Sequence, residues 1–361
     1  MPKTQPSDLS DSELEFYSRQ IVLPSTGYNG QLKLRNSRVC IVGLGGLGSP
    51  AALQLAAMGV GFLRLVDFDV VELSNLQRQH LYNVNYLGYP KVEVAAKRLR
   101  ELNPNIEVEP KPLALNEKNA RDLINDVDVV VDGLDLMSPR YAVNRACVKL
   151  GVPYVFGAAI MTTGSVSTII PQKTACLECF QGNLEDSQLP KCAVAGVHPS
   201  VLNITASVEV TEAVRLLLGK PPRLANKLFH CDIEGMTFEE VEIAKAENCT
   251  VCGLSPSDVP SLLKSHGIRE ICGRKGKRVF VVTHEEDLKL DISNLAATVE
   301  SLGYAITVRS ELGLSFSGEK AIGSILTSGI AIIEGLNSQE EAYQLSKSLV
   351  MAPKKVTVCG G

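Results

Sequence analysis

The residues with types and spacing able to do chemistry fall into three groups. The first begins at VCIVGLGGLG (39–48), where Gly43, Gly45 and Gly48 form a G-x-G-x-x-G loop, with Gly46 inside it, directly after an apolar strand. Such glycines let backbone N–H groups and a helix N-terminus approach phosphate closely. Asp67 ends a second strand, FLRLVD, 19 residues past Gly48, where a carboxylate can accept from ribose hydroxyls. Up to this point any dinucleotide site would read the same. The next stretch does not: Asn75, Gln77, Arg78 and Gln79 sit in ELSNLQRQH, and Lys91 follows in GYPK. Hydride transfer does not need such a polar, cationic cluster beside the phosphates. Cleavage of a phosphoanhydride does, because charge develops as the α-phosphate is attacked. Arg78 and Lys91 therefore read as triphosphate ligands, and Asn75 as a residue that orients phosphates or a metal, with Gln79 in the same cluster. Asp135, past the apolar strand VDVVVDGL, suits Mg2+, a hard cation that favours carboxylate and phosphate oxygen. Asp132 and Asp69 are secondary candidates.

The second group is two C-x-x-C pairs, Cys176/Cys179 and Cys249/Cys252, with 69 residues between them. Four thiolates favour a closed, tetrahedral structural Zn2+ site. A redox dithiol is the rival, but neither pair sits at a plausible redox-helix start. The gap exceeds that of a compact zinc ribbon, so the site would clip a long excursion back onto the fold. The third group is Cys192 alone, beside Lys191 in a polar stretch. A neighbouring cation favours thiolate, which suits a nucleophile accepting an acyl group as thioester. A small, partly buried thiol is the equal alternative on the residues alone.

Bulk composition narrows the classes. The chain has 361 residues, enough for two or three domains, with 45% apolar and 21% charged residues, ordinary for a soluble globular protein. A net charge of −4 argues against a partner held by nucleic-acid charge. Met1 leads into a polar, mixed-charge segment and no apolar run approaches a membrane span, which makes the cytoplasm the expected location and no membrane partner expected. Ten cysteines in such a chain are read as ligands, a nucleophile or core residues rather than disulfides.

The elements that must position these groups alternate. Residues 1–35 contain a helical arm with SELEFYSRQ. Strand and glycine loop (37–48), helix (49–58), strand (62–67), helix (KVEVAAKRLRELNP), strand (IEVEPKPL), helix (NARDLIND), strand (VDVVVDGL), helix (RYAVNRACVKLG) and strand (PYVFGAAI) follow. This alternation implies an α/β, Rossmann-like fold with a mostly parallel sheet, helices on both faces, and ligands at the carboxyl ends of the strands. GSVSTIIP (164–171) is expected as a further strand of antiparallel kind, ITASVEVTEAVRLLLGK as a long helix, and FHCDIEGMTFEEVEI as paired strands. The expected division is a nucleotide-binding unit over 36–254, a linker over 255–275, and a small α+β unit of ferredoxin-like type over 276–361.

The string GLGGLG, then LVDFDVVELSNLQRQ, GYPKVE and the two C-x-x-C pairs resembles the MoeB/ThiF/HesA family of ubiquitin-activating-enzyme-like adenylyltransferases, and YSRQI at 17–21 resembles the family's N-terminal arm. The likeness covers roughly residues 12–253. It implies adenylation of the C-terminal Gly-Gly carboxylate of a ubiquitin-like or sulfur-carrier protein by Mg-ATP, with release of pyrophosphate. By position it implies that Asp67 holds ribose, that Asn75, Arg78 and Lys91 hold phosphates, and that Asp135 is the metal-site acid. Arg19 is implied to reach a partner subunit's ATP, and hence a homodimer. Cys192, in KCAVAGV, aligns with the family's thioester or persulfide cysteine, whose product passes to a conjugating enzyme or comes from a sulfur donor. Two features depart from the pattern. Leu134-Asp135-Leu136 stands where relatives often have Thr-Asp-Asn, and no rhodanese loop is present. The final Cys359-Gly360-Gly361 is read as a terminus rather than a substrate tail.

Alternatives remain in other classes: adenylation of a small molecule or a tRNA base, an NAD-dependent oxidoreductase, or a non-catalytic platform. The oxidoreductase explains the glycine loop and Asp67 but not Arg78, Lys91 or the cysteines.

Overall fold

The computed structural model describes residues 8–182, 184–188, 195–255, 267–272, 278–284 and 287–351. Cys192 and Cys359–Gly361 lie outside the described residues.

The chain opens with short helices α1 (Asp11–Phe16), α2 (Ser18–Ile21) and α3 (Gly27–Arg35). Ser10 and Glu13 cap α1 reciprocally, each satisfying a backbone N–H of the other. Then β1 (Arg38–Val42), α4 (Gly48–Ala57), β2 (Phe62–Val66), α5 (Lys91–Leu102), β3 (Glu107–Lys111), α6 (Ala120–Ile124), β4 (Val129–Asp132), α7 (Met137–Leu150) and β5 (Tyr154–Ile160) alternate as the periodicity predicts. The strands β1 to β5 pair in parallel, and β6 (Thr163–Ile169) returns antiparallel to β5. After α8 (Leu177–Gln181) and the long α9 (Pro199–Leu217), the hairpin β7 (Lys227–Asp232) and β8 (Thr237–Glu242) completes an eight-stranded sheet in the order β3-β2-β1-β4-β5-β6-β7-β8. Its β1 and β2 are almost entirely buried apolar runs, as strands covered on both faces must be. The order reverses between β1 and β4, which creates the crevice where ligands of such sheets bind. No helix among the described residues is long and apolar enough to cross a membrane.

A second, wholly antiparallel sheet follows. It contains β9 (Gly267–Cys272), β10 (Arg278–Thr283), β11 (Ala305–Arg309), β12 (Gly313–Ser317), β13 (Ile322–Leu326) and β14 (Ala331–Glu334), with helices α10 (Ile292–Ser301) and α11 (Gln339–Val350). Two expectations are corrected here. Residues 267–272 fall in the expected linker, yet they pair with β10 along their length. The strand order β11-β12-β13-β14-β10-β9 is also not ferredoxin-like. Short turns join β11 through β14 as a meander, leaving no room for the crossover helix that a split βαβ needs between those strands. β13 (IGSIL) escaped the sequence reading because Gly323 and Ser324 interrupt its apolar run.

Candidate functional site

At the crevice, the loop after β1 and the loop after β4 touch. A Cβ on Gly48 would lie 1.8 Å from the Gly43 carbonyl oxygen, and one on Gly133 would lie 2.2 Å from the same oxygen. Gly43 has φ +85° and a Cβ there would meet Gly133 O at 2.5 Å. These glycines are required by backbone against backbone. Gly45 is different: its Cβ would meet nothing nearer than 3.8 Å. Protein packing does not require glycine there, so the open space beside its backbone fits the close approach of a phosphate.

Behind this loop the acidic and basic candidates form one cluster. Asp67 accepts from Leu44 N at 2.6 Å and Asp69 N at 2.7 Å, tying β2 to the glycine loop. Burial pushes the Asp67 carboxyl above its ordinary range, against the pull of the Lys91 ammonium. Lys91 is buried and its Nζ lies 2.6 Å from Asp69 Oδ2. Burial opposes its charge, but the carboxylates of Asp69 and Asp67 outweigh it and hold the amine protonated. Tyr82, absent from the sequence reading, donates its hydroxyl to Leu44 O at 3.0 Å and so fixes the loop from the other side. No short-range motif marks it.

The segment 72–87 hangs between Asp69 and Lys91 and carries the other candidates. Asn75 is buried and its Oδ1 accepts from Glu72 N at 3.0 Å. Arg78 is partly buried and donates to Ser74 O at 2.8 Å. Gln79 is buried beside Gly45, and its Oε1 has no hydrogen-bond partner. The Gln79 atom nearest Gly45 is Nε2, 3.8 Å from where a Cβ would stand, and the unpartnered buried Oε1 asks for a donor from a ligand or water.

Asp135 is exposed just beyond β4. The peptide before it is pinned on both sides: Leu134 N donates to Asp132 Oδ1 at 2.8 Å, and Arg140 Nη2 donates to Leu134 O at 2.6 Å. Arg140 Nε also meets Asp132 Oδ2 at 3.0 Å, and Tyr154 OH donates to the same oxygen at 2.5 Å. Thus Asp132, a secondary candidate, is a fully buried support beneath Asp135. Close by, the carboxylate of Glu209 on α9 faces Gly157 with neither oxygen hydrogen-bonded, and burial pushes it well above its ordinary value. Arg19 is exposed on α2, among the N-terminal helices.

The four cysteines of the two C-x-x-C pairs converge. Their sulfurs all lie within 4.8 Å of one another, with separations of 3.8 Å (Cys176–Cys179), 3.7 Å (Cys176–Cys249) and 3.4 Å (Cys179–Cys252). A Zn–S bond of about 2.3 Å makes a tetrahedron edge of about 3.8 Å, so the set fits one tetrahedral ion. Burial pushes the Cys176 thiol up and the Cys252 thiol up to about 11, a cost that a bound cation removes by taking thiolate. The first knuckle is anchored to α7: Arg145 Nε meets Glu178 Oε1 at 2.9 Å, Asn144 bonds the same carboxylate, and Leu177 N donates to Asn144 Oδ1 at 3.1 Å.

A mostly parallel sheet with a glycine loop at its switch point, a buried lysine paired with part-buried aspartates, and a four-cysteine clip together define a nucleotide-binding α/β protein with a candidate metal site. Residues 17–251 match the ThiF family model, and the chain belongs to that family. It is 40% identical over 246 residues to the SAMP-activating enzyme E1 of Haloferax volcanii, covering 68% of this chain and 91% of that one. It is 39% identical over 251 residues to the sulfur carrier protein adenylyltransferase of Thermus thermophilus, covering 68% and 93%. The crystal structure of E. coli MccB with ATP superposes with a TM-score of 0.59 at 25% identity, over 69% of this chain and 76% of that one.

Proposed function

We propose that this chain activates a ubiquitin-like or sulfur-carrier protein by adenylating its C-terminal Gly-Gly carboxylate. The observation that carries the reading is the buried Lys91 with its part-buried partners Asp69 and Asp67, set against the open Gly45 backbone. The names of the relatives, an activating enzyme E1 and an adenylyltransferase, point the same way.

In this reading the glycine loop and Gln79 receive the nucleotide, and Asp67 accepts from its ribose. Lys91, Arg78 and Asn75 hold the phosphates. A carboxylate oxygen of the carrier attacks the α-phosphorus, the α–β phosphoanhydride bond breaks, and pyrophosphate leaves with its charge met by Lys91 and Arg78. Asp135, held out by the Asp132–Arg140 support, would hold Mg2+, which neutralises phosphate charge. Zn2+ would sit in the four thiolates and serve structure alone. Cys192, outside the described residues, then attacks the acyl carbon as thiolate, and AMP leaves. The protein works as a homodimer in which Arg19 reaches the neighbouring nucleotide. The N-terminal helices to Arg35 form the arm, 36–254 the adenylation unit, and the second sheet with its helices, from Gly267 to Val350, an appended α+β unit, in the cytoplasm.

The test is pyrophosphate exchange with Mg-ATP, with and without a small carrier ending in Gly-Gly, on wild type and Cys192→Ala. Carrier-dependent exchange that survives the substitution, with loss of a thiol-sensitive adduct, is the expected result. Absence of exchange with every carrier sends the reading to small-molecule or tRNA-base adenylation.

A further inference from the structure

The second sheet lies beyond the residues 17–251 that the family model matches, and it packs on the base of the 72–87 segment. That base is a short ribbon of two segments joined by one antiparallel bridge. Val70 bridges Pro90 in antiparallel fashion, Val71 N donates to Tyr89 O at 2.8 Å, and Lys91 N donates to Asp69 O at 2.9 Å. One end of the ribbon carries Asp69 and Lys91. The excursion bearing Asn75, Arg78 and Gln79 springs from the other.

The second sheet grips this ribbon by polar and apolar contacts. Glu93, in the first turn of α5, accepts from Leu312 N at 2.8 Å and from Glu311 N at 3.3 Å. Ser315 Oγ donates to Gly88 O at 2.6 Å. Val70 is buried in a cluster with Val281, Leu326 and Ile330 of the second sheet, with Phe68 packed against it. Gly313 approaches so closely that a Cβ would sit 3.1 Å from Pro90 Cγ. A turn with one end in the second sheet's hydrogen bonds and the other in the Lys91–Asp69 pair cannot shift without disturbing both.

Resting on the nucleotide-binding reading above, we propose that Glu93 and Ser315 are positioning residues through which the second sheet holds Lys91 and the 72–87 excursion in nucleotide-binding geometry. Docking of that sheet and occupancy of the nucleotide site are therefore linked, and the linkage is reciprocal. Neither residue needs to touch the nucleotide. Each acts through the backbone of the ribbon.

The experiment uses the full chain and ATP as probe. Glu93→Ala is expected to raise the Kd for ATP roughly tenfold, with Glu93→Gln, which keeps one acceptor, falling between it and wild type. Ser315→Ala, a smaller change, is expected to move Kd in the same direction. In unaltered protein, ATP should slow hydrogen exchange of the Leu312 amide and of the β12 amides, a readout independent of activity and of any variant's folding. Wild-type ATP affinity in folded Glu93→Ala and Ser315→Ala, or β12 exchange indifferent to bound ATP, overturns the linkage while leaving the nucleotide reading intact. Failure of the wild-type chain to bind ATP at all overturns the nucleotide reading and the linkage with it.

Discussion

The Nζ of Lys91 lies 2.6 Å from Asp69 Oδ2, and the lysine is the more deeply buried partner, with 5% of its side chain exposed against 36% for the aspartate. A buried ammonium facing a half-open carboxylate is placed to exchange that partner for another anion. Lys91→Ala should lower carrier-dependent pyrophosphate exchange about 10²–10³-fold, the usual loss on removing one group that stabilises developing charge. Lys91→Arg should not restore it, since a planar fork does not fit a point-charge socket. Exchange within threefold of wild type in Lys91→Ala would remove this residue from the catalytic list.

The glycines separate structural from ligand-driven need. Gly48→Ala forces a Cβ to within 1.8 Å of Gly43 O and should cost about 1–3 kcal/mol of stability, read as a fall in the urea midpoint. Gly45→Ala has room in the protein and should leave the midpoint unchanged while weakening ATP binding measured by calorimetry. Equal ATP affinity in Gly45→Ala and wild type counts against phosphate contact at this position.

Glu209 gives stability a pH dependence. Its folded carboxyl titrates well above the ordinary value of 4.5, because burial disfavours the charged form. The unfolded chain therefore releases this proton first, and stability is full below about 4.5 and declines as pH rises through the folded value. Glu209→Gln removes the titration. It should match wild type near pH 4.5 in denaturant midpoint and exceed it at pH 8. A variant less stable than wild type at pH 8 would show that burial does not hold Glu209 above its ordinary value.

Cys176→Ser should abolish stoichiometric metal in the purified protein, measured by elemental analysis, and lower the melting temperature. Glu178, whose Oε2 is 3.9 Å from Cys176 Sγ and which is held by Arg145 and Asn144, should matter less directly. Its replacement by Ala should weaken metal affinity about 10–100-fold. Full metal content in Cys176→Ser would leave the cluster as a set of structural thiols.

Much of this was legible in the residues. The βα alternation places Gly43, Asp67 and Asp135 at one sheet edge from periodicity alone, and the paired C-x-x-C spacing brings four sulfurs to one point despite the gap between them. What the residues could not show were contacts made at long sequence separation. Tyr82 reaches Leu44 and Arg140 reaches Gly157 through side chains with no local signature. β9 was hidden because its pairing partner, not its own pattern, makes it a strand. Likewise the meander of the second sheet depends on turn lengths and on β13, whose Gly323 and Ser324 weaken the apolar signal.

The four-sulfur cluster joins Cys176, just ahead of α8, and Cys179, within it, to Cys249 and Cys252 behind β8. A cross-link of that span turns the intervening chain into a closed ring. One peptide bond cut anywhere in the ring would open it without releasing a fragment while an ion is shared, so a single nick would travel as intact protein on a native column and part only under denaturant with a chelator present.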